Sequence, residues 1–179
     1  MRVLPLLLFL CLAAGACSDD SPSRVPAGEP ISAVEATFGE AIDLENLADY
    51  SGQPVPRYIR KNNSGSRKVT DAGATLGRVL FYDKALSVDN TVSCASCHRQ
   101  ELAFGDDDQA SVGVAGVTPR HSMRLVNVQY AEEVRLFWDE RAVDLEDQTT
   151  QPIQDHLEMG FSGAEGDPPL ADLLEKLAD

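Results

Sequence analysis

The chain has 179 residues, of which 43% are hydrophobic, 25% are charged and only 6% are aromatic. This length corresponds to about one domain, which excludes a large multi-domain enzyme, and the composition is that of a globular protein rather than a polytopic membrane protein. The 15 Lys and Arg residues against 29 Asp and Glu residues give a net charge of −14. Such a charge would repel nucleic-acid phosphates, so we expect no nucleic-acid binding.

The N-terminal segment has the features of an export signal. Residues 1–16 contain an early Arg2, an apolar run and then small residues, and they are too few to span a membrane. The small residues before Cys17 resemble a bacterial lipoprotein signal, although Ala14 stands where a larger aliphatic residue is usual, so ordinary cleavage stays open. We predict a signal peptide over 1–16, a periplasmic location and membrane attachment through a lipid anchor at Cys17.

The segment that follows the signal is polar and contains little to bury. Residues 17–30 are rich in Pro, Ser and Asp, a composition that predicts a flexible tether. The folded domain is therefore expected to span residues 31–179.

Apolar spacing along this domain predicts a mainly α fold with long loops. Helices are expected where Val34, Phe38 and Ile42 recur behind a Ser32 cap, and over 76–81, 122–130, 145–151 and 170–177, the fourth of them ending at Pro152. The best strand candidate is 111–117, and its two glycines weaken it. A helical domain with so much loop needs something else to organise its core, and a large buried cofactor would do so.

The pentapeptide Cys94-Ala95-Ser96-Cys97-His98 is the attachment signature of c-type haem. In this motif the two thiols add to the haem vinyl groups and the adjacent histidine binds the iron from one face. A redox-active dithiol is expected at the start of a helix in a βαβ unit, which this sequence lacks, and a zinc site would need two more ligands. We therefore predict one covalently bound haem c, with His98 as the metal ligand.

The motif alone does not determine what the haem does. Electron carriers commonly add a second axial ligand, whereas an enzyme keeps that position open to substrate. The candidates for a second ligand are His121, Met123, His156 and Met159. Each has an ordinary alternative, because methionine often fills a core and a lone histidine is often structural or exposed.

Short stretches around the pentapeptide follow one another in a specific order: 76–83, 86–87, 92–98, 103–106, 125–127, 137–142, 145–148, 152–154 and 158–160. Together they resemble the bacterial di-haem cytochrome c peroxidase/MauG family over about residues 72 to 162. The resemblance implies a cytochrome c-like helical haem domain. It also implies reduction of hydrogen peroxide to water with electrons from a small cytochrome c or cupredoxin.

The resemblance also implies roles for individual residues. Cys94, Cys97 and His98 would hold the low-potential haem that reacts with peroxide. Glu158 matches the family's catalytic glutamate on the distal side. A carboxylate with a raised pKa can take a proton from one peroxide oxygen and return it to the leaving oxygen, although a glutamate near a helix end can also be a simple cap.

Two further residues match positions of the family's site. Gln148 matches the glutamine beside the catalytic glutamate, and an amide can orient peroxide or water. Trp138 matches the tryptophan between the two haems, and an indole can pass an electron. The structural alternative for a lone tryptophan is a place in the core.

The sequence departs from the family pattern in two loops. Many members carry a Gly-His pair whose histidine caps the resting iron, and residues 111–114 read Ser-Val-Gly-Val instead, which implies a five-coordinate, accessible haem. The frequent Arg-Asn-Ala-Pro stretch is replaced by Arg120-His121-Ser122-Met123. This change falls near the family's calcium position and disfavours calcium as a cofactor, and it offers His121 as an alternative distal residue.

The family continues into a second domain with another haem motif, whereas this sequence ends at Asp179 within an apparent helix. We therefore expect an N-terminal haem domain that is either a fragment or works with a partner chain carrying the second haem. A mono-haem electron-transfer module without peroxide turnover, and MauG-like oxidation of a protein substrate, remain alternatives. The acidic charge favours a basic redox partner.

Overall fold

The computed structural model describes residues 38–64, 67–132 and 135–178. Within these ranges it has four α-helices: α1 (Asp71–Tyr82), α2 (Cys94–Cys97), α3 (Leu145–Gln154) and α4 (Leu170–Ala178). Short 3-10 turns lie at Gly39–Ala41, Lys84–Leu86, Gln100–Leu102 and Val128–Tyr130. The described ranges contain isolated β-bridges but no sheet, which confirms the mainly helical domain with long loops.

The predicted signal peptide over 1–16 and tether over 17–30 lie outside the described residues. Among the helices that are described, none is both long enough and apolar enough to cross a bilayer.

Helix α1 confirms the helix predicted over 76–81 and begins earlier, because Thr70 caps it. The Thr70 Oγ1 accepts a hydrogen bond from the Gly73 amide at 3.1 Å, which satisfies one of the free N–H groups of the first turn. Asp71 then accepts the amides of Tyr50 and Ser51, both at 2.8 Å. The start of α1 thereby holds the preceding loop.

Helix α3 begins where the sequence predicts and ends later. The Asp144 side chain caps it by accepting the Asp147 amide at 2.9 Å. Pro152 was expected to end the helix but lies within it, and the helix continues to Gln154. A proline in the last turn removes only one helical hydrogen bond, so the helix can pass it before Asp155 ends it. Helix α4 matches its predicted range.

Two predicted elements are reduced to turns, and the start of a third, the first predicted helix, lies outside the described residues. The helix expected over 122–130 is wrong, since Asn127 takes a left-handed conformation at φ 59° and only the 3-10 turn Val128–Tyr130 follows. The described part of the first predicted helix is a 3-10 turn preceded by Phe38, with Gly39 at φ 54°. The strand candidate over 111–117 is a tight hairpin with a single Val112–Val117 bridge.

A small apolar core joins the helices to the loop before the haem motif. Its fully buried members come from distant parts of the chain, and they are Leu86, Met159, Phe161 and Leu173. Cys94 packs against this cluster, so the first thiol of the motif sits at the edge of the core. Lys176 of α4 donates to the Ser87 carbonyl at 2.6 Å and thereby ties the last helix to the same loop.

Two loops come together at their main chains. The hairpin of residues 111–118 donates the Val114 amide to the Glu158 carbonyl at 3.1 Å and the Ala115 amide to the Leu157 carbonyl at 3.3 Å. We call residues 155–160, which form the other side of this contact, the Glu158 turn. A Cβ atom at Gly113 would lie 2.7 Å from the Glu158 Cα, so this approach requires glycine.

We predict that Gly113→Ala lowers the free energy of unfolding by about 1–3 kcal/mol, because the added methyl group forces the hairpin away from the Glu158 turn. Chemical denaturation of the haem-loaded protein measures this change. Gly77→Ala is the matched control, since a Cβ at this helical position meets nothing within 4 Å and should stabilise α1 by about 0.5–1 kcal/mol. Equal stabilities of the two variants would contradict the close contact.

Candidate haem site

The haem motif folds as one turn of helix. Ser93 and Ser96 form a capping box at its start, in which the Ser93 amide donates to the Ser96 Oγ at 3.0 Å. The turn closes where the His98 amide donates to the Cys94 carbonyl at 2.9 Å. Neither cysteine is in a disulfide, and both are half-buried. One turn of backbone therefore presents two thiols and an imidazole in sequence.

Both thiols are held in the neutral form. Burial raises the pKa of the Cys94 thiol. Burial also raises the pKa of the Cys97 thiol; Ser111 lowers it through a hydrogen bond, and the carboxylates of Asp106 and Glu158 raise it further. The Glu158 turn bonds to the 111–118 hairpin, and Ser111 of that hairpin donates to Asp106 at 2.6 Å, so the predicted catalytic acid lies on a segment joined to the loop after the haem motif.

The ring of His98 is oriented by a main-chain carbonyl. Its Nδ1 lies 3.0 Å from the Phe104 carbonyl oxygen, and because a carbonyl can only accept, Nδ1 carries the proton and Nε2 keeps its lone pair. Burial lowers the pKa of His98, while the main chains of Phe104 and Met123 raise it. A buried, neutral imidazole with a fixed tautomer is the form that binds a metal.

The loop after the motif holds the Phe104 carbonyl in place. The Phe104 amide donates to the Arg99 carbonyl at 2.8 Å, and the Arg99 amide donates to the Gly105 carbonyl at 2.9 Å. Ala103 and Phe104 both take left-handed conformations, with φ of 58° and 57°. Such a conformation is uncommon for residues with side chains, and here it turns the carbonyl toward the histidine.

The residues present fit a covalently bound haem. Two unpaired thiols and one oriented imidazole are the donor set that c-type haem requires. The buried Nε of Arg99 has no hydrogen-bond partner within the described ranges, although its guanidinium pairs with Asp106 and Asp107. An acceptor on a bound haem, such as a propionate oxygen, would complete the hydrogen bonding of this nitrogen.

Glu158 is presented by a tightly bonded turn. The Asp155 Oδ1 accepts the amides of Leu157 at 2.9 Å and of Glu158 at 3.2 Å. Burial raises the pKa of the Glu158 carboxyl, the charge of Asp155 raises it further, and Arg141 lowers it. Glu158 is therefore a desolvated acid under the influence of one fixed anion and one fixed cation.

Arg141 is held on three sides. It donates to Asp139 at 2.8 Å and to the Gln151 amide oxygen at 2.9 Å, and its guanidinium carbon lies 3.5 Å from the centre of the Phe137 ring. Asp139 also accepts from Arg120 at 2.6 Å, and these hydrogen bonds lower the pKa of Asp139 to about 2. The cation that acts on Glu158 is thus part of an anchored network.

Neither of the other two predicted catalytic residues makes a hydrogen bond to Glu158 within the described ranges. Trp138 is 61% exposed, so it is not a core residue, and its indole N–H donates to the His121 carbonyl at 2.9 Å. Gln148 is half-buried on α3, and in the described part of the chain its side chain makes no hydrogen bond to Glu158.

The four candidates for a second axial ligand fall into two groups. Met159 is 3% exposed within the apolar core, and both ring nitrogens of His156 face carboxylates. His121 donates Nδ1–H to the Asp108 carbonyl at 2.8 Å, which leaves Nε2 free, and both His121 and the Met123 main chain influence the pKa of His98. Of the four candidates, His121 and Met123 are therefore the two that influence the pKa of the predicted haem ligand His98.

Three consecutive carboxylates, those of Asp106, Asp107 and Asp108, have oxygens within 4.8 Å of one another. Arg99 pairs with the first two, which offsets much of their charge. Calcium remains a prediction from the family resemblance.

The sequence did not single out Asp155, Arg141 or Ser111, all of which act electrostatically on the site. Arg141 lies within the 137–142 stretch that resembles the family, so its charge was a usable signal. Asp155 three residues before Glu158 has the spacing of a capping aspartate. Nothing in the local sequence indicates that Ser111 would reach Cys97.

Comparison with known proteins agrees with this site. A family model for the di-haem cytochrome c peroxidases matches residues 71–178. The chain is 33% identical over 116 residues to the cytochrome c peroxidase Ccp of Escherichia coli, covering 64% of this chain and 23% of the relative. It is 29% identical over 140 residues to the cytochrome c551 peroxidase of Pseudomonas aeruginosa, covering 78% of this chain and 39% of the relative.

A solved structure has the same fold. It is a MauG-like protein associated with microbial copper homeostasis, with a TM-score of 0.56 and 33% sequence identity, and the match covers 70% of this chain and 40% of that chain. The chain thus spans between about a quarter and two fifths of the relatives it matches. The matched family model, the shared fold and the haem motif with its oriented histidine show that this chain belongs to the di-haem cytochrome c peroxidase family.

Proposed function

We propose that this chain is the peroxide-reacting haem domain of a cytochrome c peroxidase, with haem c attached to Cys94 and Cys97 and with His98 as the proximal ligand. The observation that carries this proposal is the placement of Glu158. Its carboxyl is desolvated, and its turn is bonded to the 111–118 hairpin, whose Ser111 donates to Asp106 at 2.6 Å in the loop after the haem motif. A proton-transferring acid beside a haem attachment site is what cleavage of a peroxide O–O bond requires.

When bound, haem c supplies the redox-active iron for the reduction of hydrogen peroxide. Glu158 begins as a carboxylate, takes a proton from one peroxide oxygen and returns it to the other, which leaves as water. Over the whole reaction, one peroxide, two electrons and two protons yield two waters. Arg141 lowers the pKa of Glu158, against the effect of burial, and so favours the carboxylate form that begins the reaction.

Two residues assist this reaction in the proposal. Gln148 orients peroxide or water by its amide. Trp138 passes electrons, and its exposed indole and its hydrogen bond to the His121 carbonyl place it at the surface in a fixed orientation. Electrons come from a small cytochrome c or cupredoxin, and the net charge of −14 favours a donor with a basic face.

The location and wider assembly belong to the same proposal. The signal and Cys17 place the domain in the periplasm on a lipid anchor, and a second haem is supplied by a further domain or by a partner chain. The chain spans less than half of the length of these relatives. In this proposal the second haem completes the path by which electrons reach the peroxide-reacting haem.

We predict that Cys94→Ala combined with Cys97→Ala abolishes covalent haem attachment, because no thiol remains to form a thioether. Haem that stays with the denatured protein on a gel, detected by its peroxidase stain, measures attachment. Ser96→Ala, which lies between the cysteines and supplies no thiol, is the control and should retain haem. Covalent haem in the double variant would refute the assignment of these two residues.

We predict that Glu158→Gln lowers kcat for peroxide reduction by about 10²–10⁴-fold, the usual contribution of a general acid–base group. Stopped-flow consumption of peroxide by the haem-loaded chain, with a reduced small cytochrome as donor, measures it. Glu175→Gln removes a carboxylate from the exposed side of α4 and should keep the original rate. Equal rates for Glu158→Gln and the original protein would instead favour an electron-transfer module.

The ionisation of Glu158 predicts how the peroxide-reducing activity depends on pH. Since the carboxylate form starts the reaction, activity should fall as the pH drops through the pKa of Glu158, which burial raises above 4.5. Asp155→Asn keeps the accepting oxygen but removes a negative charge, so the acid limb should move to lower pH. Arg141→Gln should move it to higher pH, while Arg141→Lys keeps the charge and should leave it nearly in place. Shifts in the same direction for Asp155→Asn and Arg141→Gln would contradict this assignment.

A further inference from the structure

His156 lies in the Glu158 turn, and each of its ring nitrogens faces a different carboxylate. The Nδ1 atom is 2.8 Å from the Asp167 Oδ2, and the Nε2 atom is 3.4 Å from the Glu165 Oε2. An ionised carboxylate can only accept hydrogen bonds, so both nitrogens must carry protons for both contacts to form. The arrangement is therefore complete only when the imidazole is protonated and positively charged.

The main partner of His156 is itself fixed. The Asp167 Oδ2 also accepts a hydrogen bond from the Ser162 hydroxyl at 2.7 Å, and the Asp167 amide donates to the Ala164 carbonyl at 2.8 Å. The loop of residues 162–169 is closed by the Gly163 amide, which donates to the Pro168 carbonyl at 3.1 Å. His156 thus connects the Glu158 turn to a second, internally bonded loop.

The Glu158 turn is held to three other parts of the chain, one of which is Val88, whose amide donates to the Met159 carbonyl at 3.0 Å. The 111–118 hairpin contacts it through the carbonyls of Leu157 and Glu158. The described side-chain contacts between the turn and the 162–169 loop are those of His156 with Asp167 and Glu165. Loss of these contacts would leave the turn bonded to the hairpin and to Val88, but without the side-chain bonds that join it to the 162–169 loop.

We propose that His156 is a positioning residue whose protonated ring, bound between Asp167 and Glu165, fixes the turn that carries Glu158. This inference rests on the proposed role of Glu158, because His156 touches neither peroxide nor the haem donors and acts through the turn. Activity then requires a protonated His156 as well as an ionised Glu158. His156 therefore sets an alkaline limit to activity, whereas Glu158 sets the acid limit.

The direction of the pH effect follows from the groups around His156. The hydrogen bond with Asp167 raises the pKa of His156, burial lowers it, and the charges of Asp167, Glu165 and Asp155 raise it. The stabilising contact is therefore complete below pH 6.5 and is lost as the pH rises through the raised pKa. The bond to His156 also lowers the pKa of Asp167, so acid breaks the contact only below the ordinary value of 3.8. The contact between His156 and Asp167 is therefore present at pH values between the lowered pKa of Asp167 and the raised pKa of His156.

The first test measures His156 directly in the haem-loaded chain. In ferrous protein under carbon monoxide, which is diamagnetic, the ¹⁵N signals of the three histidine rings are followed against pH, and the one missing from His156→Asn is assigned to His156. We expect this ring to titrate above 6.5 and to shift downward in Asp167→Asn. Titration at or below 6.5 would overturn the bridged arrangement.

The second test compares two variants for turnover of peroxide. In the original protein, kcat should fall on the alkaline side as His156 loses its proton. His156→Ala should lower kcat by up to about 100-fold below pH 6.5, the cost of displacing a catalytic group by about 1 Å, with KM unchanged, and the difference from the original protein should narrow on the alkaline side, where the original ring loses its proton. His156→Asn retains an N–H donor for Asp167, so it should recover part of kcat but lack the alkaline limb. A pH profile of His156→Ala identical to that of the original protein would overturn the positioning role.

Amide hydrogen exchange separates failure of this inference from failure of the proposed function. At one fixed pH below 6.5, the Leu157 and Glu158 amides should exchange faster in His156→Ala than in the original protein, whereas Glu175→Gln should leave them unchanged. If these amides respond but Glu158→Gln leaves turnover intact, the role of Glu158 is wrong and the anchoring by His156 stands. If they do not respond, His156 does not fix the turn.

Discussion

The site depends on a main-chain contact between two loops that are distant in sequence. Gly113 allows the 111–118 hairpin to lie against the Glu158 turn, where the Val114 and Ala115 amides bond to the Glu158 and Leu157 carbonyls. Ser111 in the same hairpin bonds to Asp106 at 2.6 Å, just after the haem motif. A single hairpin therefore connects the acid-bearing turn to the motif, and any side chain larger than hydrogen at Gly113 would separate them.

This dependence on loops follows from the small size of the core. The buried cluster of Leu86, Met159, Phe161 and Leu173 gathers the helices, but much of the remaining chain is irregular and is held by hydrogen bonds between main-chain and short polar side chains. Cys94 packs at the edge of that cluster, so a haem attached there would extend the apolar interior outward from it. A covalent cofactor would thus supply packing that this composition, with 6% aromatic residues, does not supply by itself.

The electrostatics of the site combine burial with a few anchored charges. Burial raises the pKa of Glu158, and the fixed positions of Asp155 and Arg141 adjust it in opposite directions. Each of these charges is held by its own bonds, Asp155 to amides of the turn and Arg141 to Asp139 and Gln151. Since neither has to reorganise when a proton moves, the turn and its surroundings are suited to proton transfer. The contacts of His156 with Asp167 and Glu165 join the same turn to the 162–169 loop.

The sequence by itself determined the helical class, the existence of α1, the range of α4, the start of α3 and the haem motif, because these depend on local spacing, caps and adjacent ligands. It was wrong for 122–130, where the left-handed conformation of Asn127 breaks an apolar pattern that reads as helical. It named Glu158 but not the groups that tune it, since the pKa of a carboxyl depends on burial and on charges brought near by folding. Only the tertiary structure decided that Trp138 is exposed, that Gly113 permits the loop contact, and that His156 lies between two carboxylates. Each of these results depends on which segments folding brings into contact, and the spacing of residues within one segment carries no direct record of those contacts.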